Sequence, residues 1–509
     1  MKRREFLRRA TTLVGAGSAL PAVGRAATES VFQHGVASGD PLPDGVILWT
    51  RITPSTETER AVDVRWQVAT DPNMKQVVAR GDTQTHRLRD YTVKLDVRGL
   101  NPATRYYYRF QALRKRSPIG RTLTTAAGGT PDVNFAVASC ANYPFGHFNV
   151  YRRIAERNDL DAVLHLGDYL YEYPPGVYSG DSGLRSHMPD REIISLADYR
   201  MRHAQYKTDP DLQAAHQAHP WICVWDDHES TNNSWLHGAQ NHNDGEGAWA
   251  VRKAAAVQAY HEWMPIREQP MSVLLPHIYR AFRFGDTVDL LMLDTRLHGR
   301  SEQLAADDPK LTDPSRSLLG ADQMGWLKRQ LNASRDRHAR WRVLGQQCMF
   351  GQLLGDQRQV LNSDQWDGYP VARQQIIDHL RDGEITNNVI LTGDIHSSWA
   401  LDITDDPFGD TYNNGMGTVA TELVTPSVTS PPPFGDEQQA AAREQEVLDQ
   451  LPHLQWVNFR RRGYLVARFS ALYSHAEWWL VDTVDSLQHS ESKAVTMVNE
   501  AGSNRLTKA

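Results

Sequence analysis

Leu160-Asp161-Ala162-Val163-Leu164-His165-Leu166-Gly167-Asp168-Tyr169-Leu170-Tyr171-Glu172 is the stretch that decides the fold. It opens as an apolar run of strand length and stops at a glycine followed by an aspartate. In an α/β protein a buried strand delivers such a carboxylate to the carboxyl edge of a sheet, where ligands bind. Three other runs stop in the same way. Residues 133–139 lead into Cys140, residues 221–225 into Asp226-Asp227-His228-Glu229, and residues 388–392 into Gly393-Asp394-Ile395-His396. One aspartate after a strand is ordinarily a turn or helix-cap residue. Four strand ends, each with a different metal-competent side chain, predict a site.

The rest of the chain sets the bounds. Its 509 residues are 40% hydrophobic and carry a formal charge of −6, enough material for one large domain and a smaller one. Three cysteines, Cys140, Cys223 and Cys348, make no disulfide framework. The mild acidity argues against a nucleic-acid groove. The short triplet Arg460-Arg461-Arg462 reads as solvated surface. Gly-x-Ser-x-Gly is absent, which disfavours a serine nucleophile on an α/β-hydrolase fold.

The first residues read as an address. Lys2-Arg3-Arg4-Glu5-Phe6-Leu7-Arg8 is a twin-arginine pattern, followed by a weakly apolar run over 11–23 and small residues at 24–27. This predicts a Tat export signal cut near Ala26. The run is too short for a spanning helix and holds Gly15, Gly17 and Pro21, so no membrane anchor is expected. Removing residues 1–26, with six basic side chains and one acidic, takes the charge from −6 to −11. The expected location is periplasmic or secreted, and the expected state a monomer whose protein partner is the export machinery.

Residues 31–127 read as all β. Residues 62–68 alternate in period two, and Leu100-Asn101-Pro102-Ala103-Thr104-Arg105-Tyr106 resembles the tyrosine corner of fibronectin-like sandwiches. A small β-sandwich domain is expected, with a linker at 124–131. From 131 to 509, strands alternate with helices, as in layered α/β folds. Helices are predicted at 151–157, 196–206, 247–263 and 323–332. A hairpin is predicted from 278–284 and 288–293, and a strand at 342–347. Strands at 417–424, 464–469 and 477–481 are expected in a second sheet. A polar loop at 230–247 is placed to shape the site, and 431–450, with its prolines, Glu and Gln, reads as a mobile insertion.

Carboxylates, imidazoles, a thiolate and a phenolate can together hold two or more cations. Asp168 is placed to bridge them, and Tyr171, three residues on, to share its cation. Phenolate and thiolate both suit a ferric ion. Asp394 and His396, one residue apart on extended backbone, point the same way. His228 directly follows a carboxylate and suits proton transfer.

Gly-Asp-x-x-Tyr (Gly167 to Tyr171), Trp-Asp-Asp-His-Glu (Trp225 to Glu229) and Gly-Asp-x-His-Ser (Gly393 to Ser397) resemble the motifs of the PhoD-type alkaline phosphatases. Ser139-Cys140 agrees with them. Phe32-Gln33-His34-Gly35-Val36-Ala37-Ser38-Gly39-Asp40-Pro41, with Leu48-Trp49-Thr50-Arg51, resembles that family's N-terminal domain. The resemblance implies a two-sheet metallophosphoesterase sandwich flanked by helices, distantly related to purple acid phosphatases, after the fibronectin-like domain. It also implies Fe(III) held by Cys140, Asp168, Tyr171 and His396, and Ca(II) held by Asp168, Asp227 and Asp394. Asp226, Asn232 and Gln347 are weaker metal candidates, chosen for their nearness to the motifs. The implied reaction is hydrolysis of small-molecule or cell-envelope phosphoesters: cations generate hydroxide for in-line attack, and His228, the catalytic residue, protonates the leaving oxygen. A phosphodiesterase or phospholipase D-like hydrolase on the same fold is the alternative. A non-catalytic surface-binding protein with structural metals is the second.

Overall fold

The computed structural model describes residues 30–56, 60–180, 183–268, 277–355, 357–410, 412, 415–487 and 489–509. The twin-arginine signal lies outside them. At the centre is a ten-stranded sheet. Its middle strands Val133–Ala138, Ala162–His165 and Pro220–Cys223 run parallel, which is why they read as continuous apolar runs. A seven-stranded sheet contains a second parallel group, Val288–Met292, Trp341–Gly345, Asn388–Thr392 and Ala420–Val424. One apolar cluster joins the two sheets, with Val137, Val163 and Leu164 from the first and Leu290, Val343 and Leu391 from the second. It extends to Ile154, Tyr206 and Tyr260 of the helices Asn149–Glu156, Leu196–Tyr206 and Trp249–Trp263. The other face of the seven-stranded sheet packs Leu344 and Ile390 against Leu327 and Ile377 of the helices Gly320–Asp336 and Pro370–Asp382. The fold is thus mixed α/β with several sheets.

Among the described residues before 127 the elements are strands and one short 3-10 helix, Arg87–Arg89, and they are not self-contained. Val36–Leu42, Gly45–Arg51 and Thr92–Arg98 complete one edge of the ten-stranded sheet, through the parallel pairing of Ser38 with Pro220. Val62–Ala69, Val77–Thr85, Arg105–Ala112, Lys115–Arg116 and Gly120–Leu123 form a separate five-stranded sheet. Val64, Val68 and Phe110 of that sheet pack on Val46, Leu48 and Val93 of the larger one. Tyr106 is buried, and its hydroxyl accepts a hydrogen bond from the Asn101 amide at 2.9 Å, the backbone link a tyrosine corner makes.

Two expectations are corrected. Gly463–Phe469 and Tyr473–Val481 do not join the second sheet. Gly463–Phe469 pairs antiparallel with Val133–Ala138, so the chain returns to the first sheet at its end. Nothing local in those strands encodes so distant a partner. The stretch expected to be a mobile insertion is largely helix, Glu437–Gln450, capped by Asp436. Its Ala440, Glu444 and Val447 recur at helical spacing and are buried, and Glu444 accepts the Phe459 amide at 2.7 Å. Among the described residues no helix is long and apolar enough to cross a membrane.

Candidate active site

The four strand ends converge. Cys140, Asp168, Asp394 and His396 all sit just past parallel strands, and all have left-handed backbone, with φ of 61°, 54°, 63° and 54°. For residues other than glycine such conformations cost about 1–3 kcal/mol each and cluster at functional sites. Gly167 is required beside them: a side chain there would run into the backbone of Asp226. The buried Glu229 carboxylate ties two of the turns together. It accepts the amides of Asp168 at 3.0 Å, Tyr169 at 2.7 Å and Asp226 at 2.8 Å. The last residue of the Trp-Asp-Asp-His-Glu motif therefore holds the Gly-Asp turn in place.

Three donor groups overlap: Cys140 with Asp168 and His396, Asp168 with Asp227 and His228, and Asp226 with Asp227 and Asp394. Within each, the ligand atoms lie no more than 4.8 Å apart. Asp168 belongs to two of them, the position of a bridge. Tyr171 closes the first group. Its hydroxyl donates to Asp168 Oδ2 at 3.0 Å, accepts from Ser430 Oγ at 2.7 Å and lies 3.2 Å from His396 Nε2.

These residues fit a cation. Asp168 Oδ1 is buried with no hydrogen-bond partner, a vacancy costly to leave unmet. Burial, and after it the charge of Asp168, pushes the Cys140 thiol and the Tyr171 phenol well up. Burial, reinforced by Asp227, Glu229 and Asp394, also raises the Asp168 carboxyl, though His228 opposes it. Three potentially anionic donors, Cys140, Asp168 and Tyr171, share this buried corner, with His228 as the neighbouring protein cation. His396, lowered to about 3 by burial, is a neutral imidazole with a lone pair to offer.

The third group has its own cation. Arg296, fully buried, donates from Nε to Asp226 Oδ1 at 2.5 Å, from Nη1 to both oxygens of Asp364 at 2.8 and 2.9 Å, and from Nη2 to Asp394 Oδ1 at 2.8 Å. Burial opposes the charge on Asp227, but Arg296 and His228 hold that carboxyl well below its usual range. Arg296 and Asp364 were not legible as site residues. Arg296 follows the strand Val288–Met292, so it is a fifth strand end of the same kind, its run being read only as half of a hairpin. Asp364 comes from an irregular loop with no sequence signal.

His228 is buried beneath the cleft. Its Nδ1 lies 2.6 Å from Glu172 Oε2, and Glu172 also accepts the Asn232 amide at 2.7 Å. Burial works against charge on the ring, but Glu172, Asp227 and Asp168 outweigh it and raise His228 well above the ordinary histidine value. With Nδ1 engaged, Nε2 remains for the cleft. This opening, of about 420 Å³, is lined by Asp168, Asp227, His228, Asp394 and His396, with Tyr173 and Tyr178 on one wall and Asn232, Asp364 and Gln365 also at its surface.

The weaker candidates separate. Asn232 is at the cleft and donates to Gln240. Asp226 lies behind Arg296, outside the lining, with Oδ2 unpartnered. Gln347 is placed elsewhere. Its Oε1 accepts from the Thr295 amide at 3.0 Å and hydroxyl at 2.6 Å, and its Nε2 donates to Leu293 O at 3.1 Å, so its amide braces the Thr295 loop and is not turned to the cleft. Arg462, read from sequence as solvated, is partly buried, and its Nε donates to the carbonyls of Thr429 and Ser430.

Comparison with known proteins agrees with this geometry. The family model described as PhoD-like phosphatase matches residues 135–478, and that described as PhoD-like phosphatase, N-terminal domain, matches residues 17–126. The chain is 39% identical over 454 residues to alkaline phosphatase D of Bacillus subtilis (strain 168), covering 85% of this chain and 75% of that protein. A solved structure titled "Structure of PhoD" superposes with a TM-score of 0.86 at 35% identity, covering 94% of this chain and 92% of the other. With strand-end motifs, fold and sequence in accord over most of its length, the chain belongs to the PhoD-like phosphatase family and is a phosphoric ester hydrolase.

Proposed function

We propose that the enzyme is an exported, metal-dependent phosphatase acting on phosphate monoesters and, less well, on diesters. The observation that carries this reading is the chain of three overlapping donor groups, two sharing Asp168 and two sharing Asp227, on the floor of an open cleft. Fe(III) would be held by Cys140, Asp168, Tyr171 and His396. Ca(II) would lie on the side of Asp227 and Asp394, sharing Asp168. Bound there, such cations neutralise phosphoryl oxygens and lower the pKa of water. The protein's own part is positional and protic. Glu172 orients His228 through Nδ1, and Nε2 holds the proton that the leaving oxygen takes as its bond to phosphorus breaks. Glu229 keeps the Asp168 turn rigid, so the site need not reorganise.

The same reading takes residues 1–26 as a Tat signal, 31–127 as an N-terminal β-sandwich sharing strands with the large sheet, and 131–509 as a two-sheet metallophosphoesterase layer. Lysine at both Arg3 and Arg4 should trap the precursor in the cytoplasm.

Parallel assays on a chromogenic monoester and diester, before and after chelation, test the function. Activity on both should fall with metal, the monoester being the better substrate because its extra charge gains more from cations. Diester preference would move the enzyme to the phosphodiesterase reading, and chelation without effect would reject the metal mechanism. His228→Ala should keep the metals and lose turnover by roughly 10²–10⁴-fold. A metal-free His228→Ala protein would make the histidine a ligand. Phenolate or thiolate on ferric iron absorbs visible light, so the pure protein should be coloured, and Tyr171→Phe or Cys140→Ser should shift or abolish the band. A colourless, iron-free, fully active protein would reject iron while leaving the hydrolase intact.

A further inference from the structure

The five-stranded sheet has two unlike faces. Val64, Val68 and Phe110 point to the core, whereas the alternate positions present Arg65, Arg80, Arg109 and Arg116 outward. The register sets them in rows. Gln67 lies between Arg80 and Arg109, and Gln111 between Arg65 and Arg116, with rows about 7 Å apart. Among the described residues the acids on this part of the face are engaged: Asp82 pairs with Arg65 at 3.3 Å, and Asp63 accepts from Gln84 at 2.7 Å. A cationic face stands out in a chain of net charge −6.

The hairpin at the end of this face adds an independent observation. Ala112 pairs with Lys115, leaving Leu113 and Arg114 as a two-residue turn with φ of 47° and 62°. Positive φ at both positions is a type I′ turn, which favours Asn-Gly. A leucine there is strained, and its side chain is also 48% exposed. The tip therefore projects one apolar side chain beside three cations, Arg114, Lys115 and Arg116, all exposed.

We infer that this tip, backed by Arg65 and Arg109, docks the protein peripherally on an anionic lipid surface. Leu113 would enter the interfacial layer while the guanidinium groups and the Lys115 ammonium lie against lipid phosphates. An anionic bilayer accounts for both features, because a soluble polyanion would satisfy the arginines but give the strained, exposed leucine nothing. The inference does not depend on the metal site or on substrate choice.

Flotation of the mature chain with vesicles tests it. Binding should appear with mixed phosphatidylglycerol and phosphatidylcholine, be absent with phosphatidylcholine alone, and weaken as salt rises. Arg65→Gln or Arg109→Gln should each lower partitioning about 5-fold. The decisive variant is Leu113→Asn with Arg114→Gly, which installs the pair the turn prefers. Its melting temperature should hold or rise and its turnover of a small soluble phosphoester should stay unchanged, while vesicle binding falls roughly 10-fold or more. Equal binding to neutral vesicles, or none to anionic ones, overturns the inference. So does Leu113→Asn binding as the parent does while Arg65→Gln binds less, since charge alone would then be recognised and the partner would be a soluble polyanion.

Discussion

The two halves of the carboxylate cluster differ in where their positive charge comes from. Around Arg296, the carboxylates Asp226, Asp364 and Asp394 are hydrogen-bonded to one buried guanidinium, and Arg300 adds a second donor to Asp364. Around Asp168, the same kinds of group face one another with no arginine or lysine among them, and His228 is the neighbouring cation. Uncompensated charge in a dry interior is strongly disfavoured, so that half stays protonated or takes a cation from outside. On the proposed metal reading, the difference predicts which part of the site depends more on metal. The Cys140–Asp168–Tyr171–His396 side needs a cation to exist in its anionic form, whereas the Arg296 side is already partly neutralised and should bind a second cation more weakly.

The largest effect should come from breaking the needy half. Asp168→Asn keeps shape but removes the charge shared by two donor groups. It should strip most of the metal and lower turnover by more than the roughly 100-fold that changes to supporting residues cost. Metal content by mass spectrometry, read beside activity, checks this. A variant with full metal and little activity would mean that Asp168 acts on substrate and does not secure the ions.

Next is the self-sufficient half. Arg296→Met fills similar space but leaves Asp226, Asp364 and Asp394 without their guanidinium. Removing one partner of a buried ion pair costs about 3–5 kcal/mol, and thermal melts in chelator should show a loss of that order. Added calcium should restore part of it in the variant and less in the parent, because the vacated charge becomes a cation site. Equal stability of variant and parent in chelator would erase the distinction between the halves.

Legibility in the sequence followed strand ends and cut across this division. The Asp168 half was readable because each of its residues ends a parallel strand, and a buried strand leaves an apolar run that stops at Gly-Asp, Ser-Cys or Asp-Asp-His. Left-handed backbone at those ends gave no signal, since aspartate and histidine tolerate it without a glycine to mark it. Of the Arg296 half, Asp226 and Asp394 were readable as strand ends, but Arg296 ended a run read only as a hairpin strand, and Asp364 lies in an irregular loop with no sequence signal. Gln347 was misplaced because nearness to a motif along the chain says nothing about which way an amide turns. The fold shows the same limit. Helix Leu196–Tyr206 was predicted to the residue, and its start is fixed by a Ser195 capping box. The return of Gly463–Phe469 to the first sheet is a pairing across more than three hundred residues that no local pattern records.

The smallest effect is also the most discriminating about the Asp168 half. Tyr178 lines the cleft with left-handed backbone, φ 43°, and its hydroxyl lies 3.2 Å from His396 Nδ1 while Nε2 faces Tyr171. A histidine that ligates through one nitrogen is generally fixed by a hydrogen bond at the other, and losing that partner costs about 10–100-fold in metal affinity or activity. Tyr178→Phe keeps the ring and its packing on Phe145 but removes the oxygen. If His396 serves the Asp168 half, the iron proposed there should dissociate from the variant more readily, seen as a faster loss of the visible band in chelator, while its melting temperature in chelator matches the parent's. An unchanged rate of iron loss would mean that Tyr178 merely walls the cleft. A loss confined to calcium would shift His396 to the other half and undo the assignment of the two sides.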